Sequence, residues 1–287
     1  MRDFPPGSEW IYIKIYCTNR SAEYILLNVL LPWLDINKSR ISQLFFVRFH
    51  DPDSHLRVRF RGARKDIKDV QYELQSLLAQ KHNSELVQKA YFDTYQREIE
   101  RYSAEMIDIA ESVFHRGSEV VATYLIHFEQ NNGQQELLWP VLHCYQMINI
   151  FFDGDIEKVI VLSQRIAALF LQEHGGEKKL KRSMDDRFRE LRPGLTALVR
   201  DGGSTILETT LAFAAVLRNL SITCRAERPD MSGQLISDMV HMQINRIFPS
   251  GQRRNETFIW HCIVRLAVTA RERKENLCLA LLTAINH

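Results

Sequence analysis

The chain has 287 residues, 45% of them hydrophobic, which is enough for a sizeable core in one large domain or two small ones. Its 37 basic and 35 acidic side chains leave a formal charge of +2, so no global field favours nucleic acid or an anionic membrane, and any anion binding must be local. The five cysteines (Cys17, Cys144, Cys224, Cys262 and Cys278) show no C-x2-4-C spacing, which argues against a disulfide framework or a zinc site, and no stretch reaches the roughly 18 uninterrupted apolar residues of a membrane span.

The opening MRDFPPGSEW carries proline and charge where an export signal would be apolar, so a cytoplasmic protein is expected. Trp10–Tyr16, WIYIKIY, alternates and predicts a strand. Ala22–Leu34 is apolar enough for a mostly buried helix ending near Pro32. Two further strands follow at Ser42–Phe49 and His55–Phe60, joined through the turn-forming Asp51–Pro52–Asp53. From Asp66 the spacing becomes helical, with Ile67, Val70, Leu74 and Leu77 on one stripe and Ile107, Ala110 and Phe114 on another. Breaks are expected at Asn131–Gly133, Gly175–Gly176, Pro193–Gly194, Gly202–Gly203, Pro229 and Pro249–Gly251. The basic run Lys178–Arg192 is interleaved with Asp185, Asp186 and Glu190 and reads as a solvated helix or loop. The predicted fold class is therefore α+β. A single domain of 287 residues would carry a small, largely antiparallel sheet over about 8–62 and a mainly helical body over about 63–287.

Chemistry concentrates in three places. In His55–Arg61 the arginines alternate with Leu56, Val58 and Phe60, so a strand puts Arg57, Arg59 and Arg61 on one face. Arginine forks at fixed spacing suit carboxylate or phosphate oxygens, although such a strand is more often a solvated sheet face than a site. In YQREIERY, Tyr95–Tyr102, Glu98 and Arg101 sit three apart and share a helix face. In the helix expected at Ser232–Phe248, Ile236, Val240, Ile244 and Ile247 define the apolar stripe. His241 lies about one residue's rotation from it, with Asp238 and Asn245 on an exposed or cleft-facing side beside it.

The ordered set F-F-x-R-F-x-D-P-x-x-H-L-R-x-R, then Y-x-x-E-x-x-R-Y, then H-M-x-x-N-R resembles the glutamate-elimination domain of class I lanthipeptide dehydratases. It is similar as well to free-standing relatives from thiopeptide-type bacteriocin pathways. The resemblance runs from about Trp10 to about Arg246 or beyond. It implies a lyase that expels glutamate from O-glutamylated serine or threonine of a ribosomal precursor peptide, leaving dehydroalanine or dehydrobutyrine. Carried over by position, it assigns elimination to Arg57, Arg59 and Arg101, with Glu98 and the essential His241. Arg48, His55 and Arg61 are expected as substrate-binding neighbours. Three positions depart from the family pattern: Ser103 and Ala104 stand where a glycine pair is common, and Phe49 where tyrosine is common.

The chemistry needs removal of an α-proton, stabilisation of enolate-like charge and acceptance of a carboxylate leaving group. Pre-aimed arginines suit the last demand and histidine the first. Arg59 and Arg101 are expected on the glutamyl carboxylate and developing charge, His241 as acid/base, Glu98 as orienter of Arg101, and Arg57 on the second anionic end. No dinucleotide or P-loop motif is present, so no cofactor is expected, and no metal. The resemblance implies a separate glutamyl-tRNA-dependent glutamylation protein and the glutamylated precursor peptide as partners, without direct nucleic-acid or membrane contact, and it allows a homodimer. The rivals are a thiopeptide pyridine synthase joining two dehydroalanines by formal [4+2] cycloaddition, and a non-catalytic precursor-peptide-binding subunit.

Overall fold

The alternation of WIYIKIY and HLRVRFR produces paired strands. In a computed structural model, which describes residues 1–130, 136–173, 175, 178–200 and 207–273, a four-stranded antiparallel sheet has the order β3-β4-β2-β5. Its strands are β2 (Trp10–Tyr16), β3 (Ile41–His50), β4 (Ser54–Gly62) and β5 (Lys89–Asp93), while β1 (Asp3–Phe4) pairs separately with β6 (Tyr95–Gln96). The α+β expectation is met. The two middle strands, β4 and β2, carry the densest alternation, and the register opposes Tyr12 to Arg59 and Lys14 to Arg57.

One sheet face is wholly apolar at its centre: Ile11, Ile13 and Ile15 of β2, Leu56, Val58 and Phe60 of β4, and Leu44 and Phe46 of β3 are all buried. It packs on a helical run and on α3 (Arg64–Ala79), with Trp33 edge-on to Phe60 at 5.5 Å. That helical run does not stop at Pro32. It passes from α1 (Asn19–Tyr24) through a π-helical stretch (Ile25–Leu30) into α2 (Leu31–Asn37), where Pro32 sits in the first turn. Pro32 cannot donate to the preceding turn, and it falls where the run changes from π-helical to α-helical spacing, an irregularity of the kind that accommodates a missing ladder bond. In α3 the buried stripe is Ile67, Val70, Leu74 and Leu78 rather than Leu77.

The free edge of β3 is closed by side chains of α6 (Ile107–Gln130). The Leu44 amide donates to His115 Nδ1 at 3.2 Å and the Phe46 amide to Ser118 Oγ at 3.2 Å. An otherwise open ladder is thereby satisfied without another strand.

The described residues fall into two compact units, Met1–Ala122 with Phe248–Ser250, and the described parts of 123–247 and 251–287. The sheet belongs to the first. The second is built round α7 (Leu138–Phe151), which is buried on nearly every side. Packed against it are α8 (Ile156–Glu173), α9 (Lys178–Arg200), α10 (Leu207–Glu227), α11 (Ser232–Ile247) and α12 (Gln252–Arg273), and Tyr124 of α6 stacks on its Trp139 at 4.2 Å.

The break expected at Pro193–Gly194 does not occur, because α9 runs through both residues. Gly194 serves close approach instead: a Cβ there would stand 2.6 Å from the Leu138 side chain of α7. The breaks at Gly175, Pro229 and Pro249–Gly251 do occur. Those at Asn131–Gly133, Gly176 and Gly202–Gly203 lie outside the described residues, as does Cys278. The basic run forms the solvated face of α9, whose Met184, Phe188 and Leu195 point inward. Cys17, Cys144, Cys224 and Cys262 are buried free thiols. Among the described residues no helix is long and apolar enough to cross a membrane.

Candidate functional site

Strand alternation brings His55, Arg57, Arg59 and Arg61 to the sheet face opposite α1 and α3, each opposed across both neighbouring strands. Each arginine is held differently. The Arg57 Cζ lies 3.4 Å from the centre of the Phe49 ring, and its Nε donates to His55 Nε2 at 3.1 Å. Phe49, standing where tyrosine is common, therefore supplies a stacking surface.

Arg59 occupies an aromatic box. Its Cζ lies 4.3 Å from the Tyr12 ring centre, 5.1 Å from Tyr95 and 5.3 Å from Phe45. Its Nε is buried and has no hydrogen-bond partner among the described residues. Arg61 lies over Trp10 at 5.7 Å and reaches Gln43 Oε1 at 3.4 Å. Between the rows, Lys14 binds Asp93 at 2.5 Å, a hydrogen bond that raises the lysine's pKa and lowers the aspartate's.

The box is anchored from below. The Tyr95 hydroxyl donates to Glu111 Oε1 at 2.8 Å, and Arg97 grips the same carboxylate through Nε at 2.7 Å and Nη2 at 2.5 Å. Burial pushes the Tyr95 phenol far above its usual range, with the Glu111 charge adding to it, so this hydroxyl stays protonated and tethered. Sequence reasoning missed Tyr12, Tyr95 and Glu111. Pairing WIYIKIY against HLRVRFR in antiparallel register would have found Tyr12; no spacing signal marks Glu111.

Arg48 takes the other face. Opposite Leu56 in the register, it is 4% exposed and its Nη2 donates to Glu23 Oε2 of α1 at 3.0 Å. The period of two puts it on the helix-covered side, away from the arginine row. His55 is on the expected face but buried, with both ring nitrogens engaged within the protein.

Glu98 and Arg101 do pair, Nη1 to Oε2 at 3.3 Å, on an exposed surface at the short helix α5 (Ile99–Tyr102). Ser103 follows with φ +60°. The serine thus adopts the left-handed conformation that a glycine would enter freely.

His241 belongs to the second unit. Its Nδ1 lies 2.9 Å from Glu256 Oε2 of α12 and its Nε2 2.8 Å from Asn245 Nδ2. A carboxylate only accepts, so the ring proton sits on Nδ1 and Nε2 accepts from the Asn245 amide. Turning that amide over would offer Oδ1 to a protonated Nε2, so the same three side chains accommodate both charge states. Asp238 is buried and accepts from Gln234 at 3.0 Å. Glu256 escaped sequence reasoning because its helix lies beyond a break and no spacing ties it to His241. Arg246, the last residue of the motif, is a core side chain whose Nη1 donates to Gln243 Oε1 at 3.1 Å.

Residues 10–268 match the family model described as lantibiotic biosynthesis dehydratase C-term. The chain is 22% identical over 284 residues to the nisin biosynthesis protein NisB of Lactococcus lactis subsp. lactis, covering 95% of this chain but 27% of that protein. It thus spans about a quarter of that relative's length. Among solved structures, the tRNA-dependent lantibiotic dehydratase MibB of Microbispora sp. 107891 superposes with a TM-score of 0.71 at 20% identity, over 94% of this chain and 29% of MibB. TbtD, a pyridine synthase from thiomuracin biosynthesis, superposes at 0.57 and 12% identity, over 93% of this chain and 100% of TbtD. Both structural likenesses speak to the fold.

Proposed function

Because the chain belongs to the lantibiotic dehydratase C-terminal family, we propose that it is a lyase eliminating glutamate from O-glutamylated serine or threonine in a ribosomal precursor peptide. The α-proton passes to a base, the Cα–H electron pair becomes the new C=C bond, and the Cβ–O pair departs with the glutamate carboxylate. One proton and one carboxylate move, so the reaction calls for no redox cofactor and no nucleotide. Dehydroalanine or dehydrobutyrine is left in the peptide.

The observation that carries this reading is Arg59: a guanidinium boxed by three aromatic rings, its Nε buried without an acceptor, in a row with Arg57 and Arg61 on a rigid strand. Donors fixed in advance stabilise charge that grows in a transition state without reorganising at the moment of reaction. Arg59 and Arg101 take the glutamyl carboxylate and the developing charge, and Glu98 orients Arg101. Arg57 and Arg61 hold the remaining anionic and polar groups of the glutamyl peptide. His241, oriented by Glu256, transfers the proton. A glutamyl-tRNA-dependent glutamylating activity supplies the ester in the cytoplasm.

The test is mass spectrometry of a defined O-glutamylated peptide incubated with this protein and with its Arg59→Ala variant. Loss of glutamate by wild type alone supports elimination. An unchanged ester, together with ring formation from a peptide bearing two dehydroalanines, would replace this reading with the cycloaddition.

A further inference from the structure

His55 has the profile of a supporting residue rather than a substrate ligand. It is 3% exposed, stacked on Tyr16 at 4.5 Å and tilted against Phe49 at 5.5 Å. Its Nδ1 lies 2.8 Å from the Asp53 carbonyl oxygen, and its Nε2 faces Arg57 Nε at 3.1 Å. A carbonyl can only accept, so Nδ1 carries the ring proton; a guanidinium Nε–H can only donate, so Nε2 must be bare. Both contacts therefore require a neutral imidazole in one tautomer. Arg57 is consequently clamped twice, by the Phe49 face beneath its plane and by His55 at its Nε edge. Its Nη edge is the part left to grip an anion, with the two-pronged geometry that arginine offers a carboxylate.

We propose that His55 is a positioning residue for Arg57, holding the guanidinium by a bond that only the neutral imidazole can make and releasing it when the imidazole is protonated. This deepens the elimination reading and, as regards turnover, rests on it. Protonation would set an N–H against the Arg57 N–H and two positive charges against each other. The surroundings favour the neutral ring. Burial lowers the His55 pKa, and Arg57 on its own strand and Lys14 on β2 lower it further. The Asp53 carbonyl and the Asp51 side chain act the other way. The remaining charged or titratable neighbours are already engaged: Asp53 with Lys89 of β5 at 3.5 Å, Lys89 over the Tyr16 ring, and His50 with Ser54 Oγ. Arg57 is thus seated at neutral pH and freed in acid.

Two measurements test this, and the first does not depend on turnover. In ¹⁵N-labelled protein at pH 7.5, His55 should show the Nδ1–H tautomer, and Arg57 should give a slowly exchanging Nε–H resonance. That resonance should vanish as His55 titrates and be absent in His55→Phe. It should persist through the same pH range in His55→Gln, whose side-chain oxygen can stand near Nε2 without titrating. An Nε2–H tautomer, or an Arg57 resonance indifferent to His55→Phe, overturns the proposal.

The second measurement is the pH profile of glutamate release. Protonation of His55 should add to the acid side of the wild-type profile a further loss of up to about tenfold per pH unit as its neutral fraction falls, whereas His55→Gln should lack that further loss and keep more of its rate than His55→Phe. Identical profiles for wild type and His55→Gln also overturn it. If the resonances behave as described and no variant releases glutamate, the positioning stands and the elimination reading fails.

Discussion

Glu256 keeps only 3% of its side chain in contact with solvent, yet its Oε2 lies 2.9 Å from Nδ1 of His241, a side chain with about a third of its surface open. A buried acceptor behind a half-exposed imidazole fixes which nitrogen faces outward. Replacing Glu256 with Gln retains the shape but offers an amide that can donate to Nδ1, moving the ring proton to Nε2. If His241 transfers the proton, Glu256→Gln should slow glutamate release by a large part of the roughly 10²–10⁴-fold that a positioned acid/base contributes. Rates within twofold of wild type on an O-glutamylated peptide would remove the carboxylate from the mechanism.

Arg48 and Arg59 separate stability from chemistry. Arg48→Met leaves Glu23 without its buried partner on the helix-covered face, and because Glu23 is partly solvated the cost should be about 1–3 kcal/mol, with turnover retained. Arg59→Lys should do the reverse. A point-like ammonium cannot fill a box shaped for a planar fork, so elimination should fall by about 10²–10³ while urea unfolding shifts little.

The contrast between these two arginines shows what the sequence carries. In HLRVRFR the alternation of charge and carbon declares both faces, and β4 is as expected. In β3, Phe45, Phe46 and Val47 are all apolar, so no period of two tells which way Arg48 points. The β5 strand was not legible, because KAYFD is half-exposed and its pairing to β2 spans roughly eighty residues. Pro32 and Pro193 misled for a tertiary reason: each lies in a helical run with a buried apolar face, and a proline's local cost does not reveal the packing that offsets it. The placement of Arg57, Arg59 and Arg61 on one sheet face was readable. The Tyr12–Tyr95–Phe45 box and Glu256 were not, since tertiary approach alone creates them.

Ser103 combines φ +60° with a hydroxyl that is buried and lacks a hydrogen-bond partner among the described residues. Both features cost free energy, and glycine removes both. Against this stands glycine's larger unfolded-state entropy. The net expectation for Ser103→Gly is a gain of about 1 kcal/mol, read as a higher urea midpoint at unchanged slope. A loss of stability would mean that the hydroxyl has a role in the folded state.

Glu111 is fully buried and Arg97 nearly so, and Asp108 lies 2.6 Å from Arg97 Nη2. Burial opposes the Arg97 charge, but its bonds to Glu111 outweigh that and hold its pKa up. Burial drives the Glu111 pKa upward even against the guanidinium. Removing one partner strands the other, so Arg97→Met should cost about 3–5 kcal/mol. The double variant Arg97→Met/Glu111→Leu should recover much of that loss, because no buried charge is left alone. It should also loosen Tyr95, whose hydroxyl loses its acceptor. A double variant no more stable than the single one would show that Glu111 matters for packing rather than charge.

His143 sets an acid limit on the second unit. It is buried in α7, stacked on Trp139 at 4.5 Å, and its Nε2 faces Gln243 Nε2 at 3.1 Å, while Arg246 donates to the Gln243 oxygen. The arginine fixes the amide with its NH₂ towards the ring, so Nε2 must be unprotonated. Burial depresses the His143 pKa to about 3, from an ordinary value of 6.5. Between those values the unfolded chain binds a proton that the folded chain refuses. Stability therefore falls as pH drops through that window, by up to about 1.4 kcal/mol per unit, and levels off below it. His55, His115 and His261, whose pKa values burial also lowers, push the same way. Urea unfolding of wild type and His143→Gln at pH 7.5, 5.5 and 4.5 should show a shallower acid slope in the variant. Parallel slopes would place the acid sensitivity in the other histidines.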